Sequence, residues 1–279
     1  MVNTVIAKTL VQALDTLKQG DYKIVAGGTD MLIQNRSHTG MPIAYKSNIL
    51  YVNLVKELDF ISDDENNVYI GATCRLESIL KDQRIPQILR DVIHEMASPA
   101  IRHTGTLAGN IANASPAGDS LVALYALDAQ VRIQSAMHER IVKVSDFIKG
   151  VRKIDLSPIE MITEIIIPKL DFDNIYFKKV APRLSDAISK LSFVGAYSFR
   201  NNTLIDMRIS LGAVYMTVVR NRSIEKKYIG MSKEEFKNHI KEILIDYSHI
   251  IKPIDDQRSN KEYRKQVALN LIKAFVLNC

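Results

Sequence analysis

Between Ser98 and Asp119 the chain carries no hydrophobic period, and this stretch most narrows the folds open to it. Gly105, Gly109 and Gly118 and prolines at 99 and 116 stand among small polar residues. An irregular segment of about 20 residues inside a compact domain is usually either functional or disordered. Here Ile101, Leu107 and Ile111 supply apolar anchors, and the segment runs directly into a helix from Asp119 to Leu127. An ordered loop that serves a ligand is the expectation. The 279 residues, 47% hydrophobic and 24% charged, provide a full core for one large domain or two medium ones.

Composition removes several classes. Apolar content is too high for a disordered chain, and Gly and Pro are too few for a collagen-like or low-complexity one. No apolar stretch approaches the ~20 residues of a membrane span. The start, Met1-Val2-Asn3-Thr4-Val5, lacks the basic and apolar regions of a secretory signal. Cys74 and Cys279 are the two cysteines, too few for an iron–sulfur cluster, which takes about four thiolates, or for a zinc ribbon. A soluble cytoplasmic protein with reduced thiols is expected. The six histidines, at 38, 94, 103, 138, 239 and 249, form no metal-ligand spacing, and no G-x-S-x-G elbow occurs. No metal site and no catalytic side chain are assigned.

The net charge of +6 is uneven. Residues 1–150 carry 15 Lys and Arg against 16 Asp and Glu, whereas residues 151–279 carry 22 against 15. The basic residues are interspersed with acidic ones, as Lys226-Lys227 near Glu225, and no aromatics interleave with them as a stacking platform requires. Nucleic acid is not an expected partner, and a solvated or docking face is.

Leu10, Leu14 and Leu17 at helical spacing predict a helix over 7–20 with Gly20 as its stop. Strands are predicted at 23–26, 51–54 and 68–72, with a polar turn over 62–67, and helices near 75–81 and 86–97. Strands near 129–134 and 160–167 follow, the latter ending at Pro168. Beyond it the pattern is antiparallel: 175–180, 191–200, a turn at Asn201-Asn202, then 203–219. Helices at about 223–229, 232–247 and 259–277 close the chain. This order predicts an α+β protein of two domains with a boundary near 168–175.

Two glycine-bearing constellations carry the chemistry. In Ile24-Val25-Ala26-Gly27-Gly28-Thr29-Asp30-Met31 a strand delivers the chain into two glycines that can take positive φ and let backbone approach a ligand. Successive N–H groups in such a turn make an anion-binding concavity, suited to a diphosphate, with Thr29 adding a hydroxyl. The same residues also make an ordinary strand-to-helix turn, and the spacing is neither G-x-G-x-x-G nor a P-loop. The second constellation runs from Ile101 to Asp119. Its Thr106-Leu107-Ala108-Gly109-Asn110 turn offers backbone N–H groups at Gly109. Asp119 can cap the following helix, accept from a ribose hydroxyl, or do both.

Taken together, Ala26 to Asp30, Thr106 to Asn110 and the continuation Ile111 to Asp119 resemble the FAD-binding medium subunit of the molybdenum hydroxylases, the xanthine dehydrogenase and carbon monoxide dehydrogenase group. Leu127-Asp128-Ala129, Ile165 to Pro168, Phe177-Lys178-Lys179, Leu211 to Val214 and the final Tyr263-Arg264-Lys265 helix fall in the same order. The resemblance implies a vanillyl-alcohol-oxidase-like FAD domain over 1–170, with subdomains of about 1–55 and 56–170. A C-terminal sheet-and-helix domain like that of the carbon monoxide dehydrogenase flavoprotein would follow over 171–279. It also implies that Ile24 to Met31 and Thr106 to Asn110 hold the FAD diphosphate through backbone N–H groups, with Asp119, Ile162 and Lys178 as further cofactor contacts. Ala108 replaces the usual glycine of the second loop. Met96 falls where some members carry an aromatic.

By the same resemblance the iron–sulfur clusters and the molybdopterin sit on partner subunits. FAD then passes electrons to NAD or another acceptor, in a complex of the xanthine/purine or nicotinate type. A carbon monoxide dehydrogenase-type medium subunit and a stand-alone FAD-binding module are the alternatives. A flavin oxidase of the vanillyl-alcohol type fits less well, because no His or Cys flavin tether is placed.

Overall fold

A threonine cap and leucines at helical spacing start the first helix. Thr9 Oγ1 accepts from Gln12 N at 3.2 Å, and the helix Leu10–Leu17 buries Ala13 and Leu17. Gly20 ends the turn after it with φ +70°. The computed structural model describes residues 2–36, 38, 40–183 and 186–279; Met1, part of the signal reading above, lies outside the described residues. The chain divides into two compact units. The first comprises Met1–Ile85, Ala97–Ala114 and Ala129–Lys169, and the second Pro86–Met96, Ser115–Asp128 and Leu170–Cys279.

In the first unit, strand Asn48–Tyr51 is the centre of a three-stranded parallel sheet, flanked by Thr4–Ile6 and Tyr22–Val25. Ala13 and Leu17 of the first helix pack with Leu50, Val52, Val55 and Leu58. A second, antiparallel sheet orders its strands Ile61–Asp63, Asn67–Gly71, Met161–Pro168, Gln130–Gln134 and Glu139–Lys143. Its central strand is apolar except at Thr163 and Glu164, with Ile165 paired to Ile70 on one side and Val131 on the other. The register slips between Ile162 and Glu164, so Thr163 is the extra residue of a bulge. Its carbonyl accepts from Ala72 N at 3.0 Å. Bulges of this kind re-aim the neighbouring side chains.

In the second unit, Leu191–Arg200 lies between Asn174–Val180 and Thr203–Gly212, all antiparallel. Asn201 and Asn202 take φ of +50° and +63°, the backbone that a two-residue hairpin turn matched to strand twist requires. Phe193 and Tyr197 pack on Phe275 of the long helix Lys261–Leu277. Gly195 is dictated by the same ring, since a Cβ there would stand 2.6 Å from Phe275 Cδ2. The helix Asp119–Ala126 is buried along its whole length, as an evenly apolar helix must be.

Part of the basic excess is internal. Arg208 and Arg220 meet Asp128 at 2.9 and 2.8 Å and reach Asp206 and Glu225, while Arg208 Nη1 also donates to the carbonyl of Ala126. These cations sit at the C-terminal end of a helix, where its dipole favours them.

Several elements differ from the sequence pattern. The 98–119 stretch is not loop throughout but contains the short helices Pro99–Arg102 and Leu107–Asn113, each opened by a hydroxyl cap, from Ser98 and Thr106. They are too short to show a 3.6-residue period. The strand expected at 51–54 is Asn48–Tyr51, the one over 203–219 stops at Gly212, and the helix over 232–247 is two helices that meet at His239. Thr4–Ile6, Ile61–Asp63 and Glu139–Lys143 are short edge strands that the pattern did not announce.

Candidate functional site

Strand Tyr22–Val25 ends in the turn Ala26-Gly27-Gly28-Thr29, and a short helix, Met31–Gln34, follows. Gly27 is packed on the second constellation so closely that a Cβ would lie 2.1 Å from Thr104 O and 2.9 Å from Gly105 Cα. Gly28 has φ +70°, a backbone that favours glycine. A Cβ on Gly105 would in turn meet Thr29 Oγ1 at 3.5 Å. Two segments about 80 residues apart in sequence are thereby held backbone to backbone. The amide N–H groups of Gly27, Gly28 and Thr29 donate to no other protein group among the described residues. Consecutive unspent N–H groups form an anion-binding concavity.

The second segment is built by its caps. Thr106 Oγ1 accepts from Gly109 N at 3.0 Å and opens the helix Leu107–Asn113, whose Leu107 and Ala108 N–H groups have no partner within the helix. Leu76 N donates to Gly105 O at 2.9 Å, and Arg102 Nε meets Glu77 Oε2 at 3.1 Å, tying the segment to the helix Leu76–Lys81. Gln34 Nε2 bonds to Asp30 and to Asn113 Oδ1, the latter at 3.3 Å.

Beside the two turns lies a cavity of about 490 Å³, within the ~300–1,000 Å³ usual for small-molecule and cofactor sites. Ile24, Ala26, Met31, Ala108, Gly109 and Ile162 line it, as do Val52, Ala72 and Ala112. The wall is completed by Asp21, Tyr22 and Lys23 and, from the segment that ends at Ile162, by Arg152, Ile154, Leu156, Ser157, Pro158, Glu160 and Met161, none of which the sequence singled out. The available signals were weak: a Ser157-Pro158 turn, and an arginine after Gly150 that takes φ +55°.

One ion network fixes that wall. Glu160, 4% exposed, accepts from Arg140 Nε and Nη2, both at 2.9 Å, from Ser157 N at 2.9 Å and from His138 Nε2 at 3.1 Å. The Arg140 guanidinium holds the Glu160 carboxyl down at about 2. Arg140 also donates to Asp155 through its carboxylate and carbonyl, at 3.0 and 2.7 Å.

The other sequence candidates stand elsewhere. Val25 and Leu107 are core residues, Thr106 is the cap, Asn110 continues its helix, and Asp30 is exposed. Asp119 belongs to the second unit, where Lys179 Nζ meets its Oδ2 at 2.9 Å and Ser189 Oγ donates to Oδ1 at 2.5 Å. Burial holds its carboxyl above the ordinary value, against the pull of Lys179 and Ser189. Lys179 also donates to Glu95 O at 2.8 Å. Its neighbour Lys178 is exposed, as the two-residue alternation of a strand demands. Met96 is buried and closes the helix Gln87–Glu95. No helix among the described residues is long and apolar enough to cross a membrane.

The site thus combines an anion cradle of backbone N–H groups, a flanking apolar cavity and cationic side chains on its wall. Those parts fit a dinucleotide with a diphosphate and flat rings. Residues 1–170 match the family model of the FAD binding domain in molybdopterin dehydrogenase, and residues 176–279 match that of the CO dehydrogenase flavoprotein C-terminal domain. The chain is 31% identical to the glyceraldehyde dehydrogenase medium chain of Sulfolobus acidocaldarius, over 96% of its own length and 95% of the relative's. It is 34% identical to the nicotinate dehydrogenase FAD-subunit of Eubacterium barkeri, over 65% and 64%. Among solved structures, quinoline 2-oxidoreductase from Pseudomonas putida superposes with a TM-score of 0.86 at 22% identity, covering all of this chain and 96% of the other.

Proposed function

Because the chain belongs to the FAD-binding medium subunits of the molybdopterin dehydrogenases, we propose that it holds FAD as an electron carrier within a larger oxidoreductase. In this reading electrons arrive from an iron–sulfur subunit fed by a molybdopterin subunit, and they leave to NAD or another acceptor. The observation that carries it is the set of unspent N–H groups at Gly27, Gly28 and Thr29 beside the 490 Å³ cavity. A diphosphate would satisfy those groups, and the apolar wall from Ile24 to Ile162 would cover a ring.

FAD, when bound, supplies the redox chemistry itself. The protein's part is to bind, orient and exclude water. Gly27 to Thr29 and the turn from Thr106 to Asn110 would hold charge with backbone dipoles that need no reorganisation. Ala26, Ala108 and Ile162 would keep water from one face. Asp119 and Lys178 complete the proposed contacts, with Lys179 and Ser189 fixing the Asp119 carboxylate. No side chain is assigned a proton to move.

We place cofactor binding in residues 1–170, apart from the proposed Lys178 contact, and a docking or acceptor-facing role in 171–279, in a cytoplasmic complex. The holoenzyme's substrate would bind the molybdopterin subunit, with a purine or nicotinate as the first reading. The near full-length match to a glyceraldehyde dehydrogenase chain favours an aldehyde as the second.

The purified chain should be yellow, and acid should release FAD. A colourless protein that takes up no FAD would overturn the proposal. Co-purified partners assayed with nicotinate, xanthine and glyceraldehyde would separate the two substrate readings.

A further inference from the structure

The cavity wall carries charged side chains that the backbone cradle does not require. Four are present: Asp21, Lys23, Arg152 and Glu160. Glu160 is spent, since Arg140, Ser157 N and His138 occupy its carboxylate. The side chains of Lys23 and Arg152 have no hydrogen-bond or ion-pair partner among the described residues. Asp21, with φ +60°, is the one opposing charge left on the wall.

Arg152 is placed at a conformational cost. It sits in the tight connection between strands Ile148–Gly150 and Lys153–Ile154 with φ +55°, a backbone that costs a non-glycine residue on the order of 1 kcal/mol. Glycine or asparagine would make this turn more cheaply. The conformation is pinned because Arg152 N donates to Ala114 O at 3.1 Å. Ala114 is the left-handed C-cap of the helix Leu107–Asn113, whose first turn presents Ala108 and Gly109 to the same cavity. One short helix therefore sets both the second cradle turn and the position of this arginine.

We propose that Arg152, seconded by Lys23, binds phosphate oxygens of the FAD diphosphate as a charge-assisted anchor beside the backbone cradle. The inference rests on the reading of this cavity as the FAD site. Guanidinium suits the role, because its planar donors match phosphate geometry and it stays ionised. Neither cation has to leave a protein partner in order to bind.

The test uses the full-length chain stripped of flavin and titrated with FAD, ADP and riboflavin. Arg152→Asn keeps a residue that tolerates positive φ, and Arg152→Lys keeps the charge. Arg152→Asn should weaken FAD and ADP about tenfold while leaving riboflavin within twofold. The loss should shrink in 1 M salt, where the wild-type charge is screened. Arg152→Lys should recover most of the affinity. Lys23→Gln, on an exposed strand position, should give a smaller loss of the same selectivity and covers the case in which Arg152→Asn fails to fold. Unchanged FAD and ADP affinity in folded Arg152→Asn, or an equal loss for riboflavin, would overturn the anchor alone. Wild-type protein that binds no FAD would overturn the cofactor reading itself.

Discussion

Gly27 has no room for a side chain because Thr104 stands in its place. A Cβ would fall 2.1 Å from the Thr104 carbonyl oxygen and 2.8 Å from its carbon, both backbone atoms that cannot rotate away. The first glycine is thus a packing requirement between two loops, and the second, Gly28 at φ +70°, is a conformational one.

Gly27→Ala should therefore force the two turns apart. The expected cost is about 1–3 kcal/mol, the usual range for overpacking against a rigid neighbour. FAD affinity should fall with it, because displacement of the turn moves the N–H groups of Gly28 and Thr29. Thermal unfolding of the flavin-free chain and fluorescence titration with FAD separate the two effects. An alanine variant as stable as wild type would mean that the loops yield easily.

The two glycine constellations could be read from the chain because glycine has few other reasons to recur after a strand. Their mutual contact could not, since nothing in Gly27-Gly28 or Thr104-Gly105 indicates that they meet. The helices of 98–119 were hidden for a different reason. Pro99–Arg102 and Leu107–Asn113 span about one or two turns, and the capping roles of Ser98 and Thr106 were not announced by the pattern around them. The far wall of the cavity was the least legible part. Arg152, Ser157 and Glu160 acquire their roles from a hairpin and a salt-bridge network joining residues 15 to 22 positions apart. Asp119 shows how one residue type admits several roles: position suggests a cap or a ribose acceptor, whereas Lys179 and Ser189 occupy both its oxygens.

The Glu160 network predicts a pH dependence. Its carboxyl sits at about 2 in the folded chain against an ordinary 4.5. A carboxyl with a lowered folded value contributes stability that is complete above the ordinary value and is lost as pH falls from there towards about 2. Glu160→Gln should cost about 1–3 kcal/mol at pH 7, as expected for charge-assisted bonds to Arg140. The gap between variant and wild type should narrow between pH 5 and 3, because the wild type then protonates. Denaturant unfolding at several pH values checks this, and a gap that stays constant with pH would rule the network out as its source.

Cysteine chemistry separates the two thiols. Burial pushes the Cys74 thiol up to about 12, and its Sγ donates to Phe60 O at 2.9 Å. Cys279 is only partly buried. Since the thiolate is the reactive species, iodoacetamide at pH 8 should modify Cys279 in the native chain and reach Cys74 only on unfolding. Mass spectrometry of the labelled peptides reads this directly, and fast native labelling of Cys74 would contradict its burial.

The last contrast concerns adjacent lysines. Lys179 is buried against Asp119 and Glu95, with its side chain 4% exposed, whereas Lys178 points to solvent. Removing one partner of a buried pair leaves the other charge without compensation, a loss of about 3–5 kcal/mol. Lys179→Met should approach that range, and Lys178→Met should stay within about 0.5 kcal/mol. The first variant should also be pH-sensitive. Without the ammonium, burial raises the Asp119 carboxyl still further above its ordinary value. A carboxyl raised in the folded state destabilises increasingly as pH climbs from its unfolded value to its folded one. The Lys179→Met penalty should therefore be larger at pH 8 than at pH 5. In FAD titrations a loss of affinity in stable Lys178→Met would mark Lys178 as a cofactor contact, whereas unchanged affinity would remove it from the site.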